Sequence, residues 1–183
     1  MLDKNLLLVD IGGTNIRYAY SNIGDYGFVS ENKAELDSLN DFDNLMSKLL
    51  AESDVKNIVF SVAGPKLNNS IKMTNRNFEI DADEIRKRFN LESCYLLNDW
   101  ESIGYSIRTF SENDFDNFKE GQPFNDTFLV IGPGTGLGAS VISGNNVIAT
   151  EIGNTNLGLS ALKSLLELNL SLIHISEPTR PTP

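Results

Sequence analysis

The chain has 183 residues, a formal net charge of -10 and a hydrophobic content of 40%. This length and composition are enough for the core of one ordinary domain. The acidic charge disfavours binding to phosphate backbones or anionic lipid, so we expect neither a nucleic-acid nor a membrane partner. No apolar run reaches the ~20 residues that span a bilayer, and the chain does not open on a signal-peptide pattern, so we expect a cytoplasmic protein.

One cysteine and one histidine limit the chemistry open to the chain. Cys94 cannot form an internal disulfide, and we expect it to pack in the core rather than to react. His174 lies in the Pro-rich ending SLIHISEPTRPTP, which resembles translated sequencing-adapter sequence. We therefore expect residues 171–183 to be non-native; a genuine disordered C-terminus is the alternative. On either interpretation, a carboxylate is the expected general base.

Three apolar runs open the chain and predict strands. Residues 5–11 end in a carboxylate before two glycines, as a buried strand does when it leaves a sheet at a tight turn. The runs at 16–22 and 26–36 follow with no helical pattern between them. Three adjacent strands before any helix predict an antiparallel meander.

Helical and strand patterns then alternate along the chain. Residues 41–52 place Phe42, Leu45 and Leu49 on one face, which predicts a helix with Asp41 as its N-cap. Later predictions are a buried strand at 57–65, a turn-rich segment at 66–81, a helix at 83–90 capped by Asp81 or Asp83, a strand at 94–99 and a helix at 100–108.

A polar, acidic and turn-rich segment at 111–126 predicts a crossing between two lobes. We expect a small N-terminal lobe over 1–110 and the incomplete start of a large lobe over 127–170. The start of the large lobe repeats the opening order of strand, Gly-rich turn and strand, adds an Asn-Asn turn and a third strand, and ends in a core-facing helix at 159–168.

Two Gly-rich turns, DIGGTN at 10–15 and GPGTGLG at 132–138, each follow a buried strand. Neither ends in the Gly-Lys-Ser/Thr that a nucleotide P-loop requires. The second also lacks the following helix of a dinucleotide fingerprint, because the residues after it alternate like a strand. Both turns are predicted to admit an anion close to their exposed amides; plain β-hairpin turns are the alternative.

Two carboxylates stand beside these features. Asp10 lies next to backbone amides that would attract a phosphate, and two negative groups this close favour a cation between them. We therefore predict that Asp10 holds Mg²⁺, partly through water; the alternative is that Asp10 only caps the turn. Asn98 and Asp99 end a predicted strand, where open α/β sheets present functional groups. From the residues alone, Asp99 is either a general base or the cap of the following helix.

Six segments occur in the order VDIGGTNIR, VFSVAGP, MTNRNFEID, LLNDWESIGYSI, IGPGTGLGAS and TEIGN. Over residues 5–168 this set resembles the bacterial glucokinases of the hexokinase, actin and heat-shock-ATPase superfamily. The resemblance implies an α/β, actin-like ATPase (ribonuclease H-like) fold, with one complete lobe and the start of the second. It also implies phosphorylation of glucose by ATP with Mg²⁺, and it allows a homodimer of the full-length protein.

The resemblance implies roles for individual residues. Asp99 is implied as the catalytic base for the 6-hydroxyl of the sugar, and Asp10 as the carboxylate that positions Mg²⁺. Residues implied to bind the ATP phosphates are Asp10, Gly12, Gly13, Thr14, Asn15, Gly134, Thr135 and Gly136. Residues implied to bind the sugar are Asn75, Asn98, Asp99, Glu151 and Asn154. Asn154 stands where the family usually has histidine, which leaves the exact hexose open.

Glucokinases of this type are longer, and the missing part would carry the adenosine site, so we expect no kinase activity from these 183 residues alone. The alternatives are a kinase for another hexose, a sugar-sensing regulator and an actin-like ATPase without a sugar substrate. Only nine residues precede Asp10, too few for the DNA-binding motif of such a regulator. Asn98, Asp99 and Glu151 argue against the third alternative. ADP or polyphosphate in place of ATP stays open.

Overall fold

A computed structural model describes residues 3–12, 15–35, 38–73, 79–118, 121–122, 125–133 and 137–150. The described residues up to Ser102 form one compact unit, and those from Ile103 onward form a second. The helix predicted at 159–168 and the tail at 171–183 lie outside the described residues. The lobe boundaries predicted at 110 and 126 stay predictions.

The elements alternate as the sequence patterns indicate. In chain order they are β1 (Leu6–Ile11), β2 (Asn15–Ser21), β3 (Val29–Glu35), α1 (Leu39–Ala51), β4 (Asn57–Val62), β5 (Lys66–Leu67), β6 (Ser70–Lys72), β7 (Glu79–Asp81), α2 (Ala82–Arg88), β8 (Ser93–Asn98), α3 (Asp99–Ser106), β9 (Thr127–Pro133), β10 (Leu137–Ser143) and β11 (Asn146–Thr150). Two single turns of 3₁₀ helix, Ile107–Thr109 and Glu112–Asp114, follow α3.

The first unit contains a five-stranded sheet in the order β3-β2-β1-β4-β8. Strands β1, β2 and β3 pair antiparallel, which confirms the predicted meander. Strands β4 and β8 run parallel to β1, as strands joined through helices do. The sheet is therefore mixed, with its parallel half at the β8 side.

The core lies between one face of this sheet and the helices. Val9, Phe60 and Leu96 form one row across β1, β4 and β8, and each is at most 3% exposed. Helix α1 packs Phe42 and Met46 into the same buried cluster. Full burial of such side chains stabilises the fold by about 1.5–3 kcal/mol each. The alternation of apolar residues along the strands thus places the core.

The predicted cap of α1 is wrong. The helix begins at Leu39, and its N-cap is Ser38, whose hydroxyl oxygen accepts a hydrogen bond from the backbone N of Asp41 at 3.2 Å. Asp41 lies in the first turn instead. Its carboxylate accepts a hydrogen bond from the Ser38 hydroxyl and interacts favourably with the partial positive charge at the N-terminus of the helix. At α2 the cap is Asp81, one of the two candidates named above.

A small antiparallel sheet, β5-β6-β7, occupies part of the segment that was predicted as turns. Its strands have two or three residues each, too few to show a period of two. Ile71 pairs with Ile80, and both side chains are buried in the core cluster. The segment is therefore held by packing and pairing that no local pattern indicated.

The second unit contains an antiparallel sheet in the order β11-β10-β9. Its three strands follow the predicted order. Ala139 and Ile142 of β10 are the buried apolar side chains described in this unit. No helix in the described part of the chain is long and apolar enough to cross a membrane.

Candidate functional site

Three strand ends meet at one edge of the first sheet. Strands β1, β4 and β8 run parallel, and their residues Ile11, Val62 and Asn98 are neighbours in the register. Because parallel strands present their carboxyl ends at the same edge, the residues that follow them lie close together. This carboxyl edge carries the first Gly-rich turn, the loop at Gly64 and the start of α3 at Asp99.

The first Gly-rich turn connects β1 to β2 as an antiparallel hairpin, as predicted. Its backbone closes through Gly12, whose N–H donates to the carbonyl of Asn15 at 2.9 Å. Asp10 is exposed in the penultimate position of β1. Gly13 and Thr14 lie outside the described residues. The hairpin is therefore confirmed, and binding of phosphate by these residues stays a prediction.

The second Gly-rich turn also joins two antiparallel strands, since Pro133 of β9 pairs with Leu137 of β10. A strand and not a helix follows the turn, as predicted, which excludes the strand–loop–helix arrangement of a dinucleotide site. The predicted phosphate-binding residues Gly134, Thr135 and Gly136 lie outside the described residues.

Asn98 is the last residue of β8, and both the oxygen and the nitrogen of its side-chain amide make hydrogen bonds. Its Oδ1 accepts hydrogen bonds from the backbone N of Trp100 at 2.9 Å and of Glu101 at 3.4 Å, so Asn98 supplies the N-cap bonds of α3. Its Nδ2 donates to the carbonyl of Gly64 at 2.8 Å. An amide nitrogen carries two hydrogens, so the second N–H is the donor that Asn98 can still offer to a sugar hydroxyl.

Glu101 is a buried carboxylate beside this turn that was not predicted from the sequence. It is 8% exposed, and its Oε2 accepts a hydrogen bond from the backbone N of Asn98 at 3.1 Å. The Nζ of Lys66 lies 3.2 and 3.1 Å from its two carboxylate oxygens. The spacing Asn98-x-x-Glu101 is that of a capping box, which was the available signal. Nothing local indicates Lys66, which is 35 residues away.

Asp99 is half-buried in the first position of α3. Burial raises the pKa of its carboxyl above the ordinary 3.8, and the charge of Asp10 raises this pKa further. A hydrogen bond from the backbone N of Trp100 to Oδ1, at 2.9 Å, acts in the opposite direction. Asp10 and Asp99 therefore lie within electrostatic range of each other. A carboxylate with a raised pKa is the stronger base once ionised and is suited to accept a proton from a hydroxyl.

A cavity of about 320 Å³ lies on the other face of the first sheet, away from α1. Leu8, Val59 and Leu97 line it where it meets the sheet. Polar side chains line it as well, among them Asp10, Arg17 and Glu31, so the cavity adjoins the carboxyl edge at Asp10. Asn98 and Asp99 are not among its lining residues, and the candidate site is the carboxyl edge where they lie within electrostatic range of Asp10.

One carboxylate at the carboxyl edge, that of Asp10, could bind a magnesium ion. Among the described residues, no three His, Cys, Asp or Glu side chains cluster as ligands of one metal. Mg²⁺ usually keeps several waters and is bound through one or two carboxylates and substrate phosphates. The exposed Asp10 fits this mode of binding, although its role as the Mg²⁺ carboxylate stays a prediction.

The structure brings together only part of the predicted sugar site. Asn98 and Asp99 lie side by side at the carboxyl edge. Asn75, Glu151 and Asn154 lie outside the described residues, and their contact with a sugar stays a prediction.

Comparison with known proteins identifies relatives over most of the chain. The sequence profile of the Glucokinase family matches residues 7–169. A glucokinase of Neisseria meningitidis serogroup C is 30% identical over 161 residues, which are 82% of this chain and 48% of that protein. The crystal structure of a glucokinase from an Antarctic psychrotroph has a TM-score of 0.67 at 25% identity and covers 92% of this chain and 57% of that one.

A glucokinase of Balamuthia mandrillaris, solved in complex with glucose, has a TM-score of 0.63 at 21% identity, over 90% of this chain and 54% of that one. These likenesses confirm the predicted actin-like ATPase fold. The chain spans 30% to 49% of the length of the curated relatives it matches.

Proposed function

Since the chain belongs to the glucokinase family, we propose that it supplies the catalytic base and both phosphate-binding turns of an enzyme that phosphorylates glucose with ATP. The observation that carries the proposal is the carboxyl edge, where Asp99 is half-buried with a raised pKa beside Asp10. The likeness to a glucokinase solved with glucose supports glucose as the sugar. A cytoplasmic location accords with ATP as the donor.

In this proposal Asp99 accepts the proton of the 6-hydroxyl as the oxygen bonds to the transferred phosphorus. The bond from the transferred phosphoryl group to ADP breaks in the same displacement. Its elevated pKa makes Asp99 a better base at neutral pH than an ordinary aspartate. Positioning supplies most of the acceleration in such transfers, so the fixed orientation of Asp99 in the first turn of α3 is as important as its basicity.

The other residues bind and orient. Asp10 would hold Mg²⁺ through water, and the ion would neutralise charge on the phosphates. The backbone amides of the turns at 10–15 and 132–138 would bind the phosphates, as amides in tight turns do. The second amide N–H of Asn98, together with Asn75, Glu151 and Asn154, would bind sugar hydroxyls.

The length of the relatives bears on activity. Because the chain spans less than half the length of these curated relatives, we propose that transfer requires a longer form and that the 183 residues alone are inactive. The test uses the chain continued through its genomic reading frame, which we call the extended form. Purified extended form is assayed for ADP production with and without glucose, and the product is identified as glucose 6-phosphate.

Asp99→Asn in the extended form tests the base. We expect kcat to fall by about 100- to 10,000-fold, the usual contribution of a general base, with glucose affinity within about tenfold of the parent. Asp54→Asn is the matched control, because Asp54 is exposed and precedes β4, at the opposite end of that strand. Retained activity in Asp99→Asn would remove it as the base. ATP hydrolysis indifferent to sugar would support an actin-like ATPase, and glucose binding without transfer would support a sugar-sensing regulator.

A further inference from the structure

Glu101 occupies an unusual place for a charged side chain. It is 8% exposed and sits two residues after Asp99, in the first turn of α3. A buried carboxylate is costly unless it is paired and hydrogen-bonded. Here both oxygens lie near the Lys66 ammonium, and Oε2 also accepts the backbone N–H of Asn98. Its burial is therefore compensated by two groups that belong to the candidate site or adjoin it.

Two hydrogen bonds join Asn98 and Glu101, which lie on either side of Asp99 in the sequence. Asn98 Oδ1 accepts from the backbone N of Glu101, and Glu101 Oε2 accepts from the backbone N of Asn98. This reciprocal pair fixes the backbone on both sides of Asp99. Ser102 adds a bond from its hydroxyl to the carbonyl of Asn98 at 3.1 Å. The direction of the Asp99 side chain follows from this backbone.

One neighbouring segment holds the turn at two points. Gly64 accepts from Asn98 Nδ2 at 2.8 Å, and Lys66, two residues later, pairs with Glu101 at 3.1 Å. Gly64 lies in the loop after β4 and Lys66 begins β5, while their partners Asn98 and Glu101 lie three residues apart in the turn that starts α3. A turn held at one point can still rotate, whereas two anchors fix its orientation.

We propose that Lys66 and Glu101 are positioning residues, whose ion pair fixes the turn that aims Asp99 at the sugar hydroxyl. The inference rests on the proposed function and deepens it. Lys66 and Glu101 act through Asn98 and Asp99 and do not themselves accept the proton. Loss of the ammonium leaves Glu101 as an unpaired buried charge, which is driven out of its place toward water. The turn and Asp99 then lose their orientation.

The first test is hydrogen exchange in the 183-residue chain, which requires no activity. In Lys66→Met we expect the amide of Asn98 to exchange at least about tenfold faster, because its acceptor is Glu101, while the amide of Val59 in the centre of β4 keeps its rate. The matched control is Arg88→Met, which breaks the exposed ion pair of Arg88 with Asp43. Equal acceleration at Val59 would show a general loss of stability and overturn the positioning role.

The second test is kinetic and uses the extended form. We expect Lys66→Met to lower kcat by about 10- to 100-fold with KM for glucose within about threefold, because misplacement of the base affects the chemical step. Lys66→Arg should retain kcat within about threefold, since it keeps the charge. Glu101→Gln, which leaves no buried charge behind, should lower kcat without unfolding the chain. A kcat in Lys66→Met equal to that in Arg88→Met would overturn the inference.

The two tests separate failure of this inference from failure of the proposed function. A parent form without glucose-dependent transfer would overturn the proposed function. Exchange at Asn98 in Lys66→Met that matches the parent would overturn the anchoring of the turn, whatever the parent catalyses. Coupling is checked by the double variant Lys66→Met with Glu101→Gln, whose kcat should be no lower than that of the worse single variant.

Discussion

Replacement of Gly64 by alanine should destabilise the first unit strongly. Gly64 has a φ of +149°, a backbone conformation that residues other than glycine rarely adopt. A Cβ at this position would lie 2.9 Å from the carbonyl oxygen of Lys72 and 3.0 Å from Cγ2 of Ile71. The first contact is with the backbone of β6, which cannot move without disturbing the small sheet. Both effects act on the residue whose carbonyl anchors Asn98.

The magnitude follows from these two effects. Backbone strain of this kind costs about 1–3 kcal/mol, and overpacking against fixed atoms costs about 1–3 kcal/mol more. We therefore expect Gly64→Ala to lower the free energy of unfolding by about 2–6 kcal/mol, a large part of the total stability of a domain. The measurement is urea unfolding of the 183-residue chain followed by fluorescence of Trp100, its only tryptophan, which lies in the first unit.

Gly24→Ala is the control for this prediction. Gly24 also has a positive φ, +93°, but a Cβ there would meet no atom within 4 Å. It should show the backbone strain alone, about 1–3 kcal/mol. If the urea midpoint of Gly64→Ala is no lower than that of Gly24→Ala, the contacts with Lys72 and Ile71 are not limiting and the reasoning fails. An unfolded Gly64→Ala beside a folded Gly24→Ala would meet the expectation.

Two further predictions concern titratable groups. Burial raises the pKa of the Cys94 thiol to about 12 and leaves it 5% exposed, so a disulfide reagent at neutral pH should label it at least about 100-fold faster in urea than in the folded chain. Equal rates would contradict this burial. Because the folded chain holds a proton on Asp99 more firmly than the unfolded chain, stability should decline as pH rises from about 3.8 through the raised folded pKa. Urea unfolding across this range should show a smaller decline in Asp99→Asn than in the parent or in Asp54→Asn, and identical slopes would refute the assignment.

Periodicity predicted the elements of the first unit well. The apolar run at 5–11, the alternation at 16–22 and the helical spacing of Phe42 and Leu49 are local properties of the chain, and the structure confirms the strands and the helix they indicate. Helix boundaries were less accurate, because the choice between Ser38 and Asp41 as the cap of α1 depends on where the chain enters the helix.

Features shorter than one period could not be predicted. The strands β5, β6 and β7 have at most three residues each, and they exist because Ile71 and Ile80 pack into the core. Glu101 was missed for a different reason. Its spacing from Asn98 is visible in the sequence, but its burial depends on Lys66, which lies in β5 and is 35 residues away.

The sequence by itself determined the longer strands and helices, the two Gly-rich turns and the position of Asn98 and Asp99 at a strand end, because each rests on residues close in the chain. The tertiary structure alone decided that Asp10 acts on the pKa of Asp99, that Asn98 is anchored by Gly64 in the loop after β4, and that Glu101 is anchored by Lys66 of β5. These proximities depend on the parallel register of β1, β4 and β8, which joins residues far apart in sequence and is set by the packing of the whole sheet.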